Sequence, residues 1–268
     1  MTNKQAPVTG NLYEYDEEFR NTLSTVDAEG KRVWLYPKRP SGPFYTGRTW
    51  LSVFLLGLLF AGPLIHINGR PFFLFNIFER KFILFGQMFW PQDFFFFVLT
   101  LITLFVFVIL FTVAFGRLWC GWACPQTLFM EMVFRRIEYW IEGDANKQRR
   151  LDRMPWDTDK ILKKTAKHAI FLSISILIAH TCMAYLIGVD EVVKIVSQSP
   201  TEHLGGFLGL LFFTGIFYGV FAKFREQACI VVCPYGRLQS VLLVKDSIVV
   251  MYDWLRGEPR ARIKKEAG

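Results

Sequence analysis

Two hexapeptides hold the residue types that could do chemistry, CGWACP at positions 120–125 and CIVVCP at 229–234. Four of the chain's five cysteines thus form two Cys-x-x-x-Cys-Pro units. Proline suits the first turn of a helix and pushes the residue before it into an extended conformation. Cys124 and Cys233 are therefore expected as caps at helix starts, where free backbone N–H groups and the helix dipole favour a thiolate. Arg117 and Arg225, three or four positions before each unit, add positive charge in the same sense. Thiolates of low pKa are good metal ligands and good redox groups.

One unit offers two sulfurs and cannot close a four-ligand site, whereas two units together can. Four converging thiolates, Cys120, Cys124, Cys229 and Cys233, suit a [4Fe-4S] cluster or a tetrahedral zinc ion, and two or more of them suit Cu(I). Redox-active disulfides are disfavoured in the cytoplasm, and the bland alternative is that the cysteines are small apolar side chains. His180 and Cys182 make a further His-x-Cys pair. Inside an apolar stretch it is a weaker candidate for binding a metal such as copper, set against a plain polar contact with a neighbouring helix. His66, His168 and His203 stand alone, and no catalytic side chain is singled out.

The elements that must carry these units are apolar. Hydrophobic residues make up 52% and aromatic residues 17% of the 268 positions, and they are gathered into runs of transmembrane length. The runs Trp50–Ile67, Phe94–Phe115, Ala169–Ile187 and Leu204–Phe221 predict four spans in an all-α integral membrane protein. The net charge of +8 then reads as topology and not as an affinity for nucleic acid. Lys and Arg number 7 up to residue 48, 3 in 66–92, 11 in 116–168, 1 in 188–204 and 9 from 223 onward. The positive-inside rule assigns both termini, the linker 116–168 and both cysteine units to the cytoplasmic side of the inner membrane. The first 45 residues lack a short apolar core, so no cleavable signal is expected.

The expected organisation is a cytoplasmic segment 1–47, a four-helix membrane domain 48–222 and a cytoplasmic segment 223–268. The spans form two repeated hairpins, each ending in a basic residue, a cysteine unit and an amphipathic stretch, and a shared site at the repeat interface follows. Residues 68–92, rich in Phe but broken by Asn76, Glu79, Arg80, Lys81 and Gln87, read as an outer interfacial or re-entrant loop anchored by Trp90. In 125–143, Leu128, Met132, Val133, Ile137, Trp140 and Ile141 fall opposite Glu131, Arg135, Glu138 and Glu142. That pattern predicts a cytoplasmic interfacial helix lying against lipid.

Several separated stretches carry a family resemblance in order: GKRVWLYP, ERKFILFGQMFWPQDF, GRLWCGWACPQTLFMEMVFRRIEYWIEGD, FREQACIVVCPYGRLQSVL and KDSIVVMYDWLRGEPR. They resemble the CcoG family, also called FixG or RdxA, of cytochrome c oxidase accessory proteins, from about Thr22 to Arg260. The resemblance implies a membrane polyferredoxin-like protein serving the assembly machinery of cbb3-type oxidase, with some members reducing Cu(II) to Cu(I). It implies Cys120, Cys124, Cys229 and Cys233 as cluster-binding or metal-handling residues. It also implies a domain with two [4Fe-4S] clusters after the fourth span. The C-x2-C-x2-C-x3-C run of such a domain is not found before Gly268, so the chain is expected to stop short of it. Rival readings are a copper-binding or docking assembly factor without turnover, or a membrane anchor for a separate ferredoxin.

Overall fold

The computed structural model describes residues 32, 34–67, 70–76, 81–84, 86–89, 94–199, 201–243 and 247–248. Trp90, the acidic lead residues Asp16, Glu17 and Glu18, and the segment after Ile248 lie outside the described residues. The chain divides into two units, residues 1–38 and 39–268. In the first, the Arg32 guanidinium lies 4.6 Å from the Trp34 ring centroid. Everything that follows concerns the second.

Among the described residues, four helices are long and apolar enough to cross a membrane. Helix α1, Pro43–Ala61, starts with its proline at the first position after Gly42, and Gly62 caps its end through a hydrogen bond to Leu58. Helix α2, Phe94–Phe115, has no charged residue in its 22 positions. Its threonines return their hydroxyls to carbonyls four residues back, as Thr100, Thr103 and Thr112 all do, which satisfies these polar groups within the helix. Short helices follow: α3, Leu118–Trp122; α4, Pro125–Leu128, continuing through a π-helical turn at Phe129–Phe134 into α5, Arg135–Ile141; and α6, Ala145–Arg153. Helix α7 runs unbroken from Thr158 to Ile187, with Asp157 capping its first N–H. Helix α8 is Val189–Ser197, and α9 is Leu204–Gly219 with a π-helical extension Val220–Phe224. A third π-helical turn, Ala228–Val232, leads to α10, Pro234–Leu242.

An aromatic core holds these elements together. Phe134 stacks on Phe221 at 4.5 Å and meets Phe171 edge-on at 4.7 Å, so the stretch after the first cysteine unit, α7 and the end of α9 share one centre. Phe129 and Met130 join it, and Leu56, Leu59 and Phe60 of α1 pack on its outside. Tyr185 of α7 ties in α1 by donating to the Leu59 carbonyl at 2.9 Å.

Two sequence expectations change here. The Phe-rich stretch after α1, read only as an interfacial or re-entrant loop, contains strands: β1, His66–Ile67, pairs with β2, Arg70–Pro71, and β3, Phe73–Asn76, β4, Lys81–Leu84, and β5, Gln87–Phe89, form an antiparallel meander. Its registers set Phe75 opposite Phe82 and Phe82 opposite Phe89, aromatic cross-strand pairs that favour a sheet over a short, charge-broken helix. The chain is therefore mostly helical but not all-α. The stretch 125–141 is helical as expected, but the face expected to be solvated is buried too. Arg135, Glu138 and Glu142 are each 9% exposed or less, beside the buried Leu128 and Met132, because their charged partners come from α7 and from the turn after α9.

Candidate functional site

The two cysteine units are built alike from the backbone up. After α2, Gly116 turns the chain at φ 57° and α3 carries Cys120. Cys124 follows in an extended conformation (φ −63°, ψ 122°) and caps α4, with Pro125 at the first helical position. In the second unit Arg225 turns the chain at φ 50°, a π-helical turn carries Cys229, and Cys233 (φ −71°, ψ 113°) caps α10 with Pro234 at its first position. Each unit therefore has a positive-φ residue four places before its first cysteine. Both capping cysteines sit where their prolines predict, and neither thiol caps its helix by a hydrogen bond.

Helix α10 brings the units together by docking on α2. The Tyr235 and Thr112 hydroxyls are 2.7 Å apart, Ser247 donates to the Val113 carbonyl at 2.6 Å, and the Ile248 N–H donates to Ala114 at 3.1 Å. Cys120 Sγ donates to Gln239 Oε1 at 3.5 Å across the seam. Gly236 is required at the first turn of α10, since a Cβ there would stand 2.5 Å from the Cys229 carbonyl oxygen. The result is one cavity of about 850 Å³ lined by all four cysteines, with Phe107, Phe111 and Trp119 as its apolar wall and Arg117 and Gln126 among its polar lining.

The chemistry of the cavity follows from its walls. Burial, reinforced by the neighbouring sulfurs of Cys124, Cys233 and Cys229, pushes the Cys120 thiol up to about 11, with Arg117 pulling the other way. Burial also raises Cys229, with Cys124, Cys233 and Glu226 adding to it. At Cys120, desolvation and crowding of like charge outweigh the nearby Arg117 cation. Ligation of a metal must displace these protons.

Among the described residues, no three His, Cys, Asp or Glu side chains are grouped closely enough to hold a single metal ion. Four soft sulfurs lining one cavity with an apolar wall suit an iron–sulfur group. Gln126 adds to the fit: its Nε2 is buried at the cavity with no hydrogen-bond partner among the described residues, and an N–H donor suits a sulfur acceptor.

Arg225 does not face the cavity as the sequence spacing suggests. Its guanidinium pairs with Glu138 of α5, and the next residue, Glu226, pairs with Arg135 of the same helix. Lys167 of α7 reaches Glu142 at 2.8 Å and Glu138 at 3.6 Å, and Lys164 reaches Glu142 at 3.0 Å and Asp152 at 2.7 Å. The basic linker is therefore largely helix, and several of its lysines are partners of the buried acidic face.

Comparison with known proteins bears on the same residues. Residues 97–147 match a 4Fe-4S binding domain and residues 224–267 a 4Fe-4S dicluster domain, so each match takes in one cysteine unit. The nitrogen fixation protein FixG of Rhizobium meliloti strain 1021 is 35% identical over 244 residues, covering 88% of this chain and 46% of FixG. Protein RdxA of Cereibacter sphaeroides is 35% identical over 244 residues, covering 88% of this chain and 51% of RdxA, and protein RdxB of that organism is 32% identical over 249 residues, covering 90% and 51%. The chain is a homologue of FixG and RdxA. It spans about half the length of these curated relatives. No solved structure matches it.

In this FixG and RdxA homologue the weaker candidates do not converge. His180 Nδ1 is 2.7 Å from the carbonyl of Ile176 in its own helix, and Cys182 acquires no ligand set among the described residues. Sequence reasoning missed Gln126, Gln239, Thr112 and Tyr235. The first two carry a weak signal, an amide two and six places after a capping cysteine, whereas the Thr112–Tyr235 contact spans 123 positions and leaves none.

Proposed function

We propose that this chain is a membrane-bound electron-transfer protein in which Cys120, Cys124, Cys229 and Cys233 hold one iron–sulfur group, [4Fe-4S] by preference. The observation that carries the reading is the convergence of two matched Cys-x-x-x-Cys-Pro units on one cavity. When bound, such a group supplies one-electron chemistry. The chain's own residues bind it through sulfur, shield it with Phe107, Phe111 and Trp119, and offer it the Gln126 N–H. The distribution of Lys and Arg supports two hairpins with the cavity at the cytoplasmic face of the inner membrane.

The substrate reading extends the family resemblance: in maturation of a cbb3-type oxidase, Cu(II) gains one electron and becomes Cu(I), and a separate donor restores the electron. Anaerobic purification should yield iron and sulfide together with visible absorption that bleaches with dithionite and returns with Cu(II). Replacing all four cysteines by Ser should abolish it. A protein free of iron that is unchanged by those four replacements would sink the proposal, and copper bound without a chromophore would favour a non-redox assembly factor.

A further inference from the structure

The turn between α9 and the second cysteine unit carries a conformational cost that the first unit avoids. Position 116 is glycine, for which a positive φ is free, whereas the matching position 225 holds arginine at φ 50° and ψ −120°. Arg225 is the one non-glycine residue with positive φ among the described residues, and it is 5% exposed. A buried, charged side chain in a glycine-favoured conformation persists only where its surroundings over-determine it.

Those surroundings form a crossed clasp. Arg225 pairs with Glu138 and Glu226 pairs with Arg135, so two adjacent residues of opposite charge meet two residues of opposite charge three positions apart on α5. Glu131 braces Arg135 and Lys167 lies 3.6 Å from Glu138. One side of the clasp ends three residues before Cys229. The other lies on the helical stretch that begins at Cys124. Backbone hydrogen bonds on either side of Arg225 set the direction in which the chain leaves the turn: Arg225 N–H donates to Val220 O at 2.6 Å, and Ala228 N–H donates to Arg225 O at 3.1 Å.

We infer that Arg225, Glu226, Arg135 and Glu138 are positioning residues that hold the second cysteine pair against the first. The clasp fixes the separation of two thiol pairs that are remote in sequence. The inference rests on the four thiols forming one site, and it predicts an effect on their proximity whether or not iron is present.

The test is thiol cross-linking in membranes, using the full chain with Cys120 and Cys229 retained and the other three cysteines changed to Ser. A short bis-maleimide should join the two thiols, seen as two fragments that stay linked after proteolysis between α6 and α7. Arg225→Gly gives the turn its preferred residue and removes the clasp charge, so a purely conformational role leaves cross-linking intact. Positioning instead lowers the yield at least about fivefold, as the effective concentration of one thiol at the other falls. Glu138→Gln should lower it likewise, and Arg225→Lys should restore part of it. Should Arg225→Gly fail to insert, Glu138→Gln and Arg135→Gln give the same comparison. Unchanged yields in the variants that insert would overturn the inference. A chain that cross-links as predicted yet binds no iron when all four cysteines are intact would overturn the iron–sulfur reading alone.

Discussion

Cys120 Sγ lies 3.5 Å from Gln239 Oε1, so a thiol of the first unit is bonded to the helix that the second unit begins. Gln239 is 6% exposed, and this contact is one of the seams along which two distant segments become a single pocket.

The raised Cys120 thiol has a measurable sign. With its pKa at about 11 against the usual 9.0, the thiolate fraction at pH 8 falls about 100-fold below that of an ordinary cysteine, and it is the thiolate that reacts. In iron-free protein with all its cysteines retained, alkylation at Cys120 should be about 100-fold slower than at an exposed cysteine. The rate should climb about tenfold per pH unit until the pH nears 11. Mass spectrometry of time points across pH checks this, and a rate already flat above pH 9 would refute it.

Gln126 should tune whatever the sulfurs hold. Hydrogen bonds to sulfur favour the more negative, reduced state and raise the potential. Gln126→Leu should therefore lower the midpoint potential seen in a redox titration followed by EPR, leaving iron content near the wild-type value.

Gly236→Ala should damage the second unit selectively. The new Cβ would sit 2.5 Å from the Cys229 carbonyl oxygen, backbone that cannot swing away. Overpacking of this kind costs about 1–3 kcal/mol, read as a lower Tm in detergent and as loss of iron retention.

The α2–α10 seam should behave as a coupled pair. Thr112 is fully buried and its hydroxyl is 2.7 Å from that of Tyr235. Thr112→Val and Tyr235→Phe should each cost about 1–2 kcal/mol, and the double variant less than their sum, in a double-mutant cycle on unfolding.

Glu142→Gln should be worse than either, because it strips Lys164 and Lys167 of a shared carboxylate that is almost wholly buried. Breaking a buried ion pair from one side costs about 3–5 kcal/mol. Thermal unfolding of Glu142→Gln beside Glu142→Asp separates lost charge from altered packing.

The spans and the capping cysteines were legible because their causes are local. Charge-free stretches such as Phe94–Phe115 and the restriction that Pro125 and Pro234 place on Cys124 and Cys233 need no distant partner to be read. The face of α5 was not legible in that way. Its pattern of acids opposite apolar residues is the same whether water or buried cations meet the acids, and the cations that meet them, Lys167 and Arg225, lie on other elements. The sheet was hidden for a related reason. Phe75, Phe82 and Phe89 pair across strands, but in sequence they form no alternation that would separate strand from a broken amphipathic loop. Arg225 is the sharpest case, since its charge suggested a partner for the thiolates and its backbone geometry and its real partner could be found only in three dimensions.

Helix α7 has one further consequence. Its 30 residues make a rod about 45 Å long, while the hydrocarbon layer is about 30 Å thick. An upright rod of that length would leave about ten residues clear of the lipid tails, and the run that carries Lys160, Lys164 and Lys167 is the polar end. Because Lys167 grips the helical stretch that starts at Cys124, the rod acts as a depth gauge. In the proposed membrane arrangement it would set the height of the cysteine pocket relative to the bilayer, with Leu104 and Phe107 of α2 lining that pocket. A group held there would sit at the boundary between oil and water.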